Sequence, residues 1–288
     1  MFLEVADSLA YSLEKLGHEV NFDPGTDGHI VNPKPPFGRS IILGSNFLVD
    51  IPLPEDCILY NFEQVSGPLG GGPGEVKSIL SDAWLRGDAL KLFRRHTVWD
   101  YSHTNIERLK ALGVQDIHYC GVGYTPLMSK IAPVTEEDID VCFSGAIDGT
   151  RRDGILNELE VRGFKVQRLQ GVYGQARDAF IARSKIVLNM HVNEPQVAPA
   201  IFEIVRCSHL FANRKCVVTE DGGQDLELED FAKRAAVYVP FNEIVNTCIK
   251  LLQRDDLRKT VAENGFEAMR AIDQVVEVKQ ALESCGRS

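Results

Sequence analysis

No stretch of this chain approaches the ~18 consecutive uncharged apolar residues of a membrane span. Its opening, Met1-Phe2-Leu3-Glu4, has no basic segment leading into an apolar run, so neither a transmembrane segment nor a secretory signal is read from it. None of the seven cysteines forms a Cys-x-x-Cys pair. An odd, scattered set without an export signal predicts reduced thiols in a cytoplasmic compartment. The histidines are equally dispersed, so no metal site is expected. No Gly-x-Gly-x-x-Gly follows a strand-like run and no Walker loop is present, which removes the main support for dinucleotide binding and for P-loop hydrolysis. Positive charge is in deficit, with 31 Lys and Arg against 41 Asp and Glu and a net charge of −10. A field of that sign argues against a nonspecific nucleic-acid binder and leaves room for one small anion in a local pocket. Short repeats and low-complexity segments are absent.

What remains is a globular profile, 44% hydrophobic and 25% charged over 288 residues, long enough for two ordinary domains or one large one. Apolar spacing of Phe2, Val5, Leu9, Leu13 and Leu16 predicts a helix stopped by Gly17. Strands are predicted at His18 to Phe22, Ile41 to Leu43, Cys57 to Tyr60, Thr97 to Trp99 and Ile117 to Cys120. A Gly-Pro loop at Leu69 to Gly74 and helices at Val76 to Leu85 and Asn105 to Leu112 lie among them. Met128 to Asp138 breaks the alternation and reads as a linker. Beyond it come strands at Ile139 to Phe143, Phe164 to Leu169, Lys185 to Asn189, Lys215 to Thr219 and Ala236 to Val239. Helices are predicted at Asp153 to Arg162, Gln175 to Ala182 and about Ala200 to Asn213, with two or three more at the end. Strands alternating with helices imply βαβ units and mainly parallel sheets. The expectation is therefore α/β, with two Rossmann-like domains, 1–128 and 139–288. The first is shortened at its N-terminus, since the chain begins inside what reads as that domain's first helix.

In open α/β sheets ligands bind beyond the carboxyl ends of strands. After the strand at Ile139 stand Ser144 and Gly145, then Asp148, Gly149, Thr150, Arg151 and Arg152. Such a turn into a helix N-terminus with two guanidiniums suits a diphosphate; equally, Thr150 is an N-cap and the arginines are solvated. His191 follows the strand ending at Asn189, placed either for a ligand or as a satisfied core histidine. Glu203 and Arg206 lie opposite the stripe Ile201, Ile204, Val205 and Ser208. They form either a surface ion pair worth under ~1 kcal/mol or the edge of a ligand site in which Glu203 accepts from ribose hydroxyls.

The stretches SKIVLNMH and FEIVRCSHLFANRKCVVTE, with DVCFSG, the following RR, YVPFNEIVNTCIKLL and RKTVAENGFEAMRA, resemble the C-terminal domain of GT-B glycosyltransferases. The likeness is to the bacterial and viral glycosyltransferase-like proteins related to the spore-maturation protein CgeB. YNFEQV, VWDYSHTNI and VGYTP resemble the N-terminal portion of the same group. The resemblance implies a nucleotide-sugar donor mainly on the second domain and an acceptor on the first, with the last helix packing back on the first. It implies that Glu203 holds the donor ribose and that Gly145 lets the donor approach the backbone. Arg151 or Arg152, His191 and Arg206 would lie near the diphosphate, and Thr219, Glu220 and the Gly222-Gly223 turn would border the sugar.

An inverting transfer needs a base, for which Glu63 and Asp100 are the first-domain candidates. Asp100 and Ser102 have the alternative of capping the helix near Asn105. His191 is the third candidate for the chemistry. Gln64, Tyr101, Gly121, Gly123 and Tyr124 follow the same strands. The implied activity is transfer of a sugar from a nucleoside-diphosphate sugar to a glycan or small-molecule acceptor, with no metal, no separate cofactor and no nucleic-acid partner. The alternatives are a nucleotide-sugar-binding protein without turnover and a tandem α/β module that closes on another small ligand.

Overall fold

The computed structural model describes residues 3–21, 39–44, 53–65, 88–192 and 200–286, and the structural statements below concern those residues. The sequence readings at Phe22, Leu69 to Gly74 and Val76 to Leu85 lie outside them. The described chain divides into two compact units. One runs to Val122 and is completed by the residues from Gln274 onward; the other runs from Gly123 to Asp273.

The first unit contains α1 (Leu3–Lys15), β1 (Ser40–Leu43), β2 (Cys57–Asn61), α2 (Asp88–Phe93), β3 (Thr97–Asp100), α3 (His103–Ala111) and β4 (Ile117–Tyr119). Its strands form one parallel sheet in the order β1-β2-β3-β4. Every residue of β2 and β3 is buried, which is why both read as continuous apolar runs. Leu59, Val98, Leu109 and Val114 fill the core between sheet and helices. The last helix of the chain (Gln274–Ser284, numbered α10 below) packs in this unit against α1. Two of its side chains fasten it to the exit of β4: Glu277 accepts from Gly121 N at 3.1 Å, and Gln274 donates to Gly121 O at 3.0 Å. The strand predicted at His18 is absent over its described residues 18–21.

The second unit contains β5 (Ile139–Ser144), α4 (Arg151–Val161), β6 (Val166–Leu169), α5 (Gly174–Ala182), β7 (Ser184–Asn189) and α6 (Ile204–Ala212), followed by β8 (Val217–Glu220), α7 (Leu226–Ala235), β9 (Val237–Val239), α8 (Ile244–Leu252) and α9 (Asp255–Arg270). All five strands are parallel, in the order β6-β5-β7-β8-β9. Their carboxyl ends therefore share one edge of the sheet, and α4 and α6 begin there. Val141, Phe143, Ile186, Leu188 and Val218 from the sheet meet Leu156 and Leu159 of α4 and Ile244 and Cys248 of α8. Residues 128–138, read as a linker, are fastened to this unit. Ser129 Oγ donates to Ala212 O at 2.8 Å, Ile131 N to Asn213 Oδ1 at 2.8 Å, and Lys215 Nζ to Glu137 at 2.7 Å.

In the first unit α2 has no counterpart in the sequence reading, and in the second unit two elements depart from it. The helix expected from about Ala200 begins only at Ile204, because the preceding backbone is held in parallel pairing between Ala200 and Gly223. Helix α7 was not anticipated. Its signals are local: Asp225 at the N-cap accepts from Leu228 N at 3.3 Å, and Leu228, Phe231, Ala232 and Ala235 repeat on its buried face.

Candidate functional site

The carboxyl ends of β5, β7 and β8 bring together most of the residues singled out in the second half of the chain. Glu220, last in β8 and almost wholly buried, links two of the loops. One carboxylate oxygen pairs with Arg151 Nη1 at 2.5 Å and the other accepts from His191 N at 2.9 Å. The Arg151 guanidinium also lies over the Phe241 ring, 3.4 Å from its centroid. Burial pushes the Glu220 carboxyl up, against the opposing pull of Arg151 and the His191 amide.

The two adjacent arginines have different surroundings. Arg152 is 1% exposed. It donates Nε and Nη2 to Met190 O at 3.0 and 2.6 Å, and Nη1 to Ala146 O at 3.0 Å. It clamps the loop after β5 to the loop after β7, and burial lowers its pKa to about 10. Arg151 keeps part of its side chain in solvent. Thr150 stands at the N-cap of α4, but its hydroxyl turns back to Ile147 O at 2.7 Å instead of capping.

Arg206 donates Nη1 to Asn189 Oδ1 at 3.0 Å and pairs through Nη2 with Glu203 at 3.3 Å. Both partners of that pair are about one-quarter exposed, and Glu203 occupies the N-cap of α6 without a side-chain capping bond. Gly145 has φ +152, and a Cβ there would sit 3.2 Å from the Phe143 ring and 3.6 Å from Arg206 Nη2. Only glycine fits that conformation beside a guanidinium without displacing its neighbours. His191 is 4% exposed, and its pKa falls to about 4. Burial is the main cause; Glu203 opposes it, and Arg152, Arg206 and Arg151 reinforce it. The imidazole is therefore neutral near pH 7, able to donate through one nitrogen only.

Thr219, expected beside the sugar, belongs instead to the frame. It is fully buried, and its hydroxyl accepts from Asn189 Nδ2 at 2.9 Å. Asn189 thus bridges Thr219 and Arg206, a role the sequence reading missed. Its one signal was a polar residue closing the apolar run of β7. Phe143 and Phe241 were missed too, because aromatic faces under arginines leave no mark in sequence spacing.

In the first unit the two carboxylates proposed as bases also separate. Asp100 is fully buried and accepts from Asn61 Nδ2 at 2.7 Å, Ser102 N at 2.9 Å and Asn105 Nδ2 at 3.1 Å. Ser102 caps α3 by accepting from Asn105 N at 3.2 Å. Of the two readings given for this pair, the local structural one describes both residues: Asp100 shapes the turns after β2 and β3 rather than standing open to a substrate. Asn61 and Asn105 hold the Glu63 carbonyl at 2.9 and 3.0 Å, while the Glu63 residue stays partly exposed. Gly121 is tied to α10 as described, whereas Gly123 and Tyr124 fall in the second unit.

Two buried titratable groups of the second unit give opposite pH dependences. His191, depressed from 6.5 to about 4, contributes stability that is lost as pH falls through that window. Glu229 on α7 is raised from 4.5 to about 7 by burial, with Asp221 and Asp225 adding and Lys233 opposing. Between those values the folded state holds a proton that the unfolded state has released, so stability is lost as pH rises. Glu229→Gln is expected to raise stability at pH 8 by about 1–3 kcal/mol and to change it little at pH 4. Urea unfolding at the two pH values checks this; a variant no more stable at pH 8 would contradict it.

No family model matches the chain. Two uncharacterized proteins of Acanthamoeba polyphaga mimivirus are similar in sequence. One is 31% identical over 121 residues, covering 41% of this chain and 13% of that protein; the other is 28% identical over 168 residues, covering 57% and 54%. The chain thus spans about half of one relative and a small part of the other. Among solved structures, HepE of Anabaena in complex with UDP and glucose superposes with a TM-score of 0.58 at 13% identity, covering 80% of this chain and 71% of that one. WaaG, a glycosyltransferase involved in lipopolysaccharide biosynthesis, gives 0.53 at 11% identity over 84% and 80%. AviGT4, a glycosyltransferase involved in avilamycin A biosynthesis, gives 0.52 at 16% identity over 98% and 88%.

Proposed function

We propose, from a fold that is the α/β architecture of GT-B glycosyltransferases, that the chain transfers a sugar from a nucleoside-diphosphate sugar to a glycan or small-molecule acceptor, without a metal or separate cofactor. Among the described residues no helix is long and apolar enough to cross a membrane. The observation that carries the reading is the cationic edge of the second sheet. Arg151, Arg206 and the neutral His191 gather where α4 and α6 begin, beside a glycine held at φ +152, in a chain whose net charge is −10.

Charge on the leaving diphosphate would be stabilised there by two guanidiniums, an imidazole N–H and the two helix N-termini, with no reorganisation at the moment of bond cleavage. Arg152 supports this arrangement from beneath, through the two loops it clamps. Glu203, at the start of α6, is the acceptor for the ribose hydroxyls, and Glu220 holds Arg151 and the His191 backbone in place. HepE binds UDP in its structure, which makes uridine diphosphate the first nucleotide to test. With Asp100 committed to its loop, Glu63 is the other candidate for proton abstraction if the reaction inverts. The same commitment of Asp100 favours, as a second reading, a nucleotide-sugar-binding protein without turnover.

Thermal unfolding against a panel of nucleoside diphosphates and their sugar conjugates tests the first step. A ligand at 100 times its dissociation constant stabilises the native state by about 2.7 kcal/mol, so a selective rise in melting temperature with one base is expected. No rise with any nucleotide would remove the donor site. Binding with neither transfer nor donor hydrolysis would establish the second reading.

A further inference from the structure

Glu229 has no part in the donor site as described, yet its carboxylate reaches the loop that leaves Glu220. It stands in the first turn of α7 and is 5% exposed. Its carboxylate lies against the Gly223 backbone, where an ideal Cβ would sit 1.6 Å from Glu229 Oε1, so a larger residue at 223 would have to push that carboxylate aside. Burying a carboxylate costs several kcal/mol unless it is compensated. Here Lys233 and the Gly223 N–H offset only part of that cost, and the carboxyl is pushed up to about 7.

The rest of the turn is tied down residue by residue. Asp221 N donates to Val239 O at 2.9 Å, Gly222 N to the Tyr238 hydroxyl at 3.0 Å, and Gln224 N to Ala200 O at 2.8 Å. Gly223 itself pairs with Ala200. That last connection matters because Ala200 opens the non-helical segment that ends at Glu203, the N-cap of α6. A restraint applied at Gly223 is thus passed through one backbone pairing to the segment that presents Glu203.

We propose that Glu229 is a positioning residue of the donor site: it holds the Gly222-Gly223 turn against α7, and through Ala200 it fixes the backbone that presents Glu203 to the nucleotide. The inference deepens the donor-site reading and rests on it. It also explains why an acid occupies a helix face otherwise filled by Leu228, Phe231 and Ala232. An apolar residue there would pack as well but would place no oxygen against the Gly223 backbone.

The test uses the full chain, with uridine diphosphate as probe, and the variants Glu229→Ala, Glu229→Gln and Cys248→Ala. The last is a packing control in the core under α8. Calorimetry gives the dissociation constant, and amide hydrogen exchange reports on Ala200 to Glu203 and Asp221 to Gln224. Glu229→Ala is expected to weaken binding about tenfold and to speed exchange in both segments. Glu229→Gln, which keeps the length of the side chain and an oxygen against the Gly223 backbone, should restore both to within about twofold, and Cys248→Ala should leave affinity unchanged. Wild-type binding that Glu229→Ala does not weaken, or exchange it does not alter, would overturn the positioning role while leaving the donor site standing. A wild-type chain that binds no nucleoside diphosphate would overturn the donor-site reading and this role with it.

Discussion

Arg152→Ala is expected to cost about 3 kcal/mol or more of stability, the largest loss from any single polar side chain at the site. The side chain is 1% exposed and spends three donors on the carbonyls of Met190 and Ala146. Its removal leaves both acceptors buried and without their partner, at about 1–3 kcal/mol each, and opens a void beneath the Phe143 ring, whose centroid lies 5.1 Å from the guanidinium. Arg152→Lys should recover part of the loss at most, because an ammonium cannot reproduce the fork that reaches two carbonyls at once. Urea unfolding of the three proteins measures this. An alanine variant within about 0.5 kcal/mol of wild type would mean that the clamp between the two loops contributes little.

Glu203→Ala is expected to do the opposite, leaving stability nearly intact while weakening nucleotide binding about 10- to 100-fold. Its pairing with Arg206 spans 3.3 Å at about one-quarter exposure on one helical turn, an arrangement worth well under ~1 kcal/mol. A carboxylate accepting from two ribose hydroxyls is a charge-assisted contact of about 1.5–3 kcal/mol. Calorimetric titration of uridine diphosphate into both proteins checks the prediction. An unchanged dissociation constant would take the ribose away from Glu203, whatever nucleotide the wild type prefers.

The elements that sequence analysis placed well are those whose cause is local. Strands β2, β3, β5 and β7 each centre on a short buried apolar run, Ile58 to Tyr60, Val98 to Trp99, Val141 to Phe143 and Ile186 to Leu188, that any reading of hydrophobicity finds. Helix α8 shows Ile244, Val245, Cys248 and Leu251 on one face, and α1 is likewise visible from its spacing. The start of α6 was misplaced by four residues, from Ala200 to Ile204. The reason is not in the segment itself: Ala200 is held by Gly223 and Gln224, which arrive from the far side of β8. No local propensity records that partner.

The candidate site shows the same division. Ser144 and Gly145 after β5, His191 after β7 and Glu220 at the end of β8 were legible as polar or small residues following apolar strands, since a parallel sheet puts all such positions on one edge. Which of them point outward was not legible. Arg151 and Arg152 are neighbours of identical chemistry, yet one packs on Phe241 and pairs with Glu220 while the other is sealed under two loops. Thr219 and Glu220 are likewise adjacent, and the Thr219 hydroxyl is consumed by Asn189. Asp100, which the sequence left between a base and a helix cap, accepts from Asn61, Ser102 and Asn105. Sequence by itself determined the alternation of strands and helices and the sheet edge on which the polar residues that follow the strands gather, because hydrophobic period and chain direction are properties of short segments. Only the tertiary structure decided which polar groups are occupied and which remain available, because a buried donor or acceptor takes whichever partner the packing brings within about 3 Å, and those partners lie far along the chain, 69 residues apart for Arg151 and Glu220 and 156 for Gly121 and Glu277.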